Sequence, residues 1–191
     1  MQPKIRSYRP DDLESVYDIC VRTGDNGGDA RGQHVSDRLL GDVYAAPYVV
    51  LEPETARILD DGTGRAVGYI VGTRDTPEFV TRFRQEWMPR TAGLYSGDDW
   101  PIELLNNPES MLRPEIADYP AHLHIDLLPD WQGKGLGRQL MSEFLAGLHA
   151  AGVLRVHLGV SPKNTGARAF YDRLGFKPIA EETLLGRETA T

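Results

Sequence analysis

Apolar and polar residues alternate from His122 to Leu127: His122, His124 and Asp126 fall on one side, and Leu123, Ile125 and Leu127 on the other. A period of two predicts a strand with two distinct faces. Pro129 and Asp130 end it. From Leu136 the period becomes helical, with Leu136, Leu140, Met141, Phe144, Leu145 and Leu148 forming one apolar stripe. The link between the two is Gln132-Gly133-Lys134-Gly135-Leu136-Gly137.

The rest of the chain divides by the same rules. A first strand is predicted at residues 5–8. A helix capped by Asp11 and Asp12 then runs through Leu13, Val16, Tyr17, Cys20 and Val21. Gly24 to Asp29 reads as a turn, and residues 39–44 as a short helix. Residues 48–51 read as a buried strand and residues 56–59 open another. A hairpin turn at residues 61–64 leads into a strand over residues 66–72. Residues 74–119 hold no apolar strand. They carry one helix, residues 77–89 with Phe79, Phe83 and Trp87 on one stripe, and a short one over residues 102–106. Residues 153–160 read as a strand before a helix that starts at Asn164. Two strands, residues 176–181 and 183–188, close the pattern.

At 191 residues the chain suits a single domain, 1–191. Acidic residues outnumber basic ones, 28 to 21, which argues against nonspecific binding to nucleic acid or to an anionic membrane. A cationic amine partner is compatible with that balance. Cys20 is the only cysteine, so neither an intrachain disulfide nor a cysteine metal cage is expected, and its apolar helical setting reads as core. There is no leader pattern and no apolar run of about 18 residues, so a soluble cytoplasmic protein is expected.

A strand entering a helix through a glycine-rich turn gathers unpaired N–H groups at the positive end of the helix dipole, a device suited to phosphate or pyrophosphate. Lys134 is followed by Gly135, not Ser or Thr, which excludes the triphosphate P-loop pattern. The Gly-x-Gly-x-Gly spacing also departs from the dinucleotide fingerprint.

Gln132, Gly135 and Gly137, in the form Gln-x-x-Gly-x-Gly, resemble the pyrophosphate loop of the GNAT N-acetyltransferases, which grip acetyl-CoA. A second segment is similar to that family's later motif through Asn164, Ala167, Tyr171, Gly175 and Phe176. The resemblance implies an α/β fold with a mixed, mostly antiparallel central sheet flanked by helices. Residues 74–119 would be a helical and loop insertion before the central strand. The implied activity is an acyltransferase moving acetyl from acetyl-CoA to a primary amine of a small molecule or protein. The alternative is a noncatalytic acyl-CoA-binding or protein-interaction module of the same fold, with a nucleotide-dependent oxidoreductase third. No nucleic acid or membrane partner is expected, and a homodimer stays open.

Carried over residue by residue, the resemblance implies a cofactor cradle of backbone N–H groups from Gln132, Gly133, Lys134, Gly135, Leu136, Gly137 and Arg138. Lys134 and Arg138 would add charge. Leu127 would pair its backbone with the pantetheine and aim an N–H at the thioester oxygen. Asn164 would bond the pantetheine, cap its helix, or both. Tyr171 would be the general acid for the thiolate, or otherwise a core tyrosine. Asp126 is the first choice of general base, with His124 orienting it or serving instead, and ordered water remains an option. His122, His124 and Asp126 could also be read as a metal site, but no further ligand cluster supports one, so no metal is expected. The insertion would serve either as a flap over a sheet edge or as the acceptor pocket, with Trp87, Tyr95, Trp100 and Glu103 as lining; Asp25 and Asn26 are marginal candidates there. Tyr119 to Asp126 also resembles the acetyltransferase-like C-terminal domain of animal O-GlcNAcases. That domain lacks a normal coenzyme loop, whereas this chain keeps Gln132, Gly135 and Gly137.

Overall fold

The computed structural model describes residues 2–181 and 183–190. Its centre is a strand, β4 (Ala121–Leu127), in a seven-stranded sheet. Before it come β1 (Lys4–Ser7), β2 (Arg57–Asp60) and β3 (Ala66–Thr73), and after it β5 (Arg155–Gly159), β6 (Lys177–Pro178) and β7 (Leu184–Glu188). The strand order is β1-β2-β3-β4-β5-β7-β6. Only the β4–β5 pairing is parallel. This is the mixed, mostly antiparallel sheet expected.

Helices cover both faces. α1 (Leu13–Thr23), α2 (Leu39–Tyr44) and α3 (Ala46–Leu51) lie on the side of His122, His124 and Asp126. On the other face lies α7 (Leu136–Ala150), following α4 (Thr76–Arg82), α5 (Met88–Thr91) and α6 (Trp100–Asn106) in chain order. It buries all six residues of its predicted stripe. α8 (Thr165–Arg173) follows β5. No helix among the described residues is long and apolar enough to cross a membrane.

Close approach of α7 to the sheet depends on Gly72. A Cβ there would lie 2.2 Å from the His122 carbonyl oxygen and 2.7 Å from Phe144 Cζ. Backbone cannot give way, so Gly72→Ala is expected to cost about 3 kcal/mol by overpacking. Thermal melting should show a fall of roughly 6–12 °C for a chain of this size; an unchanged Tm would refute the packing argument.

Three predicted elements come out differently. Residues 48–51 are not a strand but part of α3, which starts with Pro47 in its first turn. The Tyr-Val-Val-Leu run suits either state, and proline at a helix start favours this one because its missing N–H costs nothing there. The helix expected over residues 77–89 is interrupted. Asp75 caps α4 by accepting from Glu78 N–H at 2.9 Å, a wider π turn follows at Phe83–Trp87, and α5 completes the stretch. Pro89 supplies the reason, since it has no N–H for residue 85 and its ring crowds that carbonyl. The strand predicted at residues 176–181 shrinks to the two residues of β6, where Pro178 cannot donate to a ladder. Cys20 is buried in the core as expected.

Candidate active site

β4 and β5 pair only at Ala121–Val156 and His122–His157. Past that point β5 stays with β7 and β4 stays with β3, so the two strands part and a gap opens between them. Leu128 donates its N–H to Val67 of β3 at 3.0 Å. Alternation along the strand then turns the N–H and C=O of Leu127 the other way, into the gap. Gln132 closes off half of that exposed edge: its Nε2 donates to the Leu127 carbonyl at 2.8 Å. The Leu127 N–H is left facing the gap.

The gap runs into the glycine turn. Gly133 and Gly135 sit at φ of 73° and 80°, the left-handed region, and Gly135 is the residue before the first turn of α7. No side chain caps that turn, so its first N–H groups have no intrahelical acceptor. A Cβ on Gly133 or Gly135 would meet nothing within 4 Å, so the space over these amides is free. Gly137 works differently. A Cβ there would come within 3.3 Å of Phe170 Cζ, so this glycine lets α7 pack on α8. Lys134 holds its ammonium 5.4 Å from the centroid of the Trp131 ring, and Arg138 is exposed beside it. Free amides, a helix N-terminus and two cations with open space above them fit a diphosphate such as that of coenzyme A. Asn164 caps α8, accepting from Ala167 N–H at 3.0 Å, and its side chain faces Gly27 of the loop after α1.

The polar face of β4 carries two separate constellations. Tyr69, opposite Asp126 in the β3–β4 register, donates its hydroxyl to Asp126 Oδ2 at 2.6 Å. Burial raises the Asp126 pKa, against the hydroxyls of Tyr69 and Thr23, which lower it. His124 turns away from Asp126; its Nε2 lies 3.2 Å from the Tyr48 hydroxyl. The orienting contact expected of His124 is therefore made by Tyr69. Tyr48 also reaches His122 Nε2 at 2.7 Å, and His122 Nδ1 lies 2.7 Å from Thr76 Oγ1. Burial pushes His124 down to about 4, helped by the charge of His157, and holds His122 well below its usual value. Both imidazoles are neutral near pH 7. Among the described residues no cluster could hold a metal ion.

Tyr171, on α8, is buried against Phe170 and Phe176, with ring centroids 5.4 and 5.6 Å away. Burial, and next the charge of Asp126, raise its pKa. It is a protonated phenol near neutral pH.

A cavity of roughly 210 Å³ opens where β4 and β5 part. Tyr44, Tyr48, Phe83, Met111, His124 and Leu184 contribute walls. The insertion does line it, but through Phe83, Leu104, Ser110, Met111 and Arg113. Trp87 instead donates to the Asp42 carbonyl at 2.9 Å and Tyr95 bonds the Asp42 carboxylate, while Trp100 and Glu103 are exposed. Nothing in the sequence pattern marks Tyr48, Thr76 or His157 for this site. Tyr69 alone left a signal, its place on a strand that would neighbour β4.

This sheet, this gap and this glycine turn are the architecture of the GNAT class, and residues 29–176 match the family described as the acetyltransferase (GNAT) family. The chain belongs to that family, as both motifs implied, and membership supports an acetyl-transferring role. It is 28% identical over 187 residues to protein O-GlcNAcase of Rattus norvegicus, across 93% of this chain and 20% of that protein. The chain thus spans about a fifth of the length of the curated relatives it matches. The crystal structure of SsHAT superposes with a TM-score of 0.96 at 54% identity, over 100% of both chains. The PaiA N-acetyltransferase of Thermoplasma acidophilum, solved in complex with coenzyme A, shares the fold at a TM-score of 0.57 and 15% identity, over 98% of this chain and 99% of that one.

Proposed function

We propose that this protein transfers the acetyl group of acetyl-CoA to a primary amine. One observation carries the reading: the unpaired edge of β4, with the Leu127 N–H free, leads directly to an uncapped glycine turn with open space above it. When bound, acetyl-CoA supplies an activated acetyl group. Amides from Gln132 to Arg138 hold its diphosphate, with Lys134 and Arg138 adding charge, and the Leu127 N–H and Asn164 serve the pantetheine end. Asp126, held by Tyr69, takes the proton that the amine nitrogen loses as its bond to the acetyl carbon forms. Tyr171 gives its proton to the sulfur as the carbon–sulfur bond breaks.

Calorimetry with acetyl-CoA, followed by detection of free CoA on incubation with an amine panel, tests the reading. Uptake with release in the presence of an amine supports it. Uptake without release on any amine leaves a binding module, and no uptake at millimolar concentration removes the activity altogether. Tyr171→Phe is expected to lower turnover about a hundredfold and to leave acetyl-CoA affinity within about twofold, because the hydroxyl serves the departing sulfur and not the resting complex. An unchanged rate would take Tyr171 out of the mechanism.

A further inference from the structure

The cavity beside β4 also bears on which amine is taken. Apart from Ser110 and Arg113 its walls away from β4 and β5 are apolar or aromatic, and the polar side chains facing it from those two strands are the imidazoles of His122, His124 and His157. Burial lowers the pKa of all three. Among the described residues no carboxylate lines it. Glu115 and Glu181 lie 3.9 and 3.8 Å from the guanidinium of Arg113 and so compensate the one cation in the wall. Asp126 lies further along β4, held by Tyr69. An ammonium entering this space would lose water and gain no anion, which is costly.

The hydrogen bonds behind His124 decide what the cavity offers instead. Thr76 donates its hydroxyl to the Pro120 carbonyl at 2.7 Å. Its oxygen must then accept from His122 Nδ1–H, which leaves His122 Nε2 to accept from the Tyr48 hydroxyl. The Tyr48 oxygen accepts in turn from His124 Nε2–H. A carbonyl that can only accept thus sets the direction of the whole chain, and His124 Nδ1 is left as a bare lone pair. A neutral amine can donate an N–H to it. An ammonium would have to lose its proton before it could attack, and the neutral, weakly basic His124 that meets the nitrogen on entry does not take it; Asp126, further along β4, takes a proton only as the nitrogen bonds to the acetyl carbon.

Resting on the acetyl-transfer reading, we infer that the acceptor is a weakly basic primary amine on an apolar or aromatic body, bound uncharged with its N–H on His124 Nδ1, and that polyamines and lysine side chains are excluded. Tyr48, His122 and Thr76 are positioning residues for that contact.

The test compares phenylalaninamide, 2-phenylethylamine and spermidine as acceptors, following CoA release by the full chain. The first two share an aromatic body, but an α-amino group has a pKa near 7.7–8.0 whereas an alkylamine lies near the lysine value of about 10.4. At pH 7, kcat/KM is expected to be at least about tenfold higher for phenylalaninamide, since far more of it is neutral. Between pH 7 and 9 the 2-phenylethylamine value should climb by close to tenfold per unit, while that of phenylalaninamide levels off near pH 8. Spermidine should give no release. Tyr48→Phe, which cuts the chain but keeps the ring, should raise KM for phenylalaninamide by about five- to tenfold with acetyl-CoA affinity unchanged. Spermidine as the preferred acceptor, or equal kcat/KM for the two aromatic amines at pH 7, would overturn the inference and leave acetyl transfer standing. Silence on every amine would overturn both.

Discussion

Gly135→Val is expected to abolish measurable acetyl-CoA uptake while leaving the fold intact. Gly135 sits at φ 80° immediately before α7, a conformation that costs an L-residue about 1–2 kcal/mol and a β-branched one more. Nothing lies within 4 Å of the Cβ it would gain, so that atom meets no clash in the free protein. Instead it fills the space over the amides. Losing two charge-assisted hydrogen bonds to a diphosphate corresponds to about 3 kcal/mol or more, or at least about a hundredfold in affinity. Calorimetry measures that loss, and a melting curve lowered by only a few degrees shows that the chain still folds. Gly135→Ala separates strain from bulk, with an intermediate affinity expected. Wild-type affinity in the valine variant would remove the glycine turn as the diphosphate site.

Asp126→Asn is expected to lower kcat/KM by about a hundredfold to ten-thousandfold, the usual contribution of a positioned base. Asp126 is a carboxyl whose pKa is raised by burial, so activity in the native protein should rise as pH climbs through that raised value. The asparagine variant should lose that limb and keep only the dependence due to ionisation of the amine. Stability moves the other way. A carboxyl with a folded pKa above its unfolded value stabilises the fold below the unfolded pKa and loses that contribution as pH rises through the folded pKa. Above that folded pKa the ionised, buried group weakens the protein, so there the variant should melt at the same temperature or higher. Lost activity together with a retained or raised Tm separates a catalytic carboxylate from a structural one. An unaltered pH profile would count against Asp126 as the base.

The two motifs and the periods around them could be read directly because each depends on neighbours close in the chain. The stripe from Leu136 to Leu148 needs only a helix with one buried side, and α7 buries those residues. Tyr48 shows the opposite case. Its short apolar run satisfies a strand or a helix equally, and placing it in α3 turns its hydroxyl toward His122 and His124. The lining of the cavity was illegible for a related reason. The prominent aromatics of the insertion, Trp87 and Tyr95, are spent on Asp42, and less conspicuous residues such as Met111 and Leu104 face the gap.

By itself the sequence determined the family, the order of strands and helices around the glycine turn, and the two faces of β4. These are local properties, set by side-chain period, by proline and glycine, and by fixed spacing along one stretch of chain. Only the tertiary structure decided that β4 and β5 separate after His122, that Tyr69 rather than His124 holds Asp126, and that a run from the Pro120 carbonyl through Thr76, His122 and Tyr48 fixes the proton on His124. Each of these joins residues dozens of positions apart. Such contacts depend on which strand wins each pairing and on where a buried donor finds its acceptor, and neither leaves a period in the sequence.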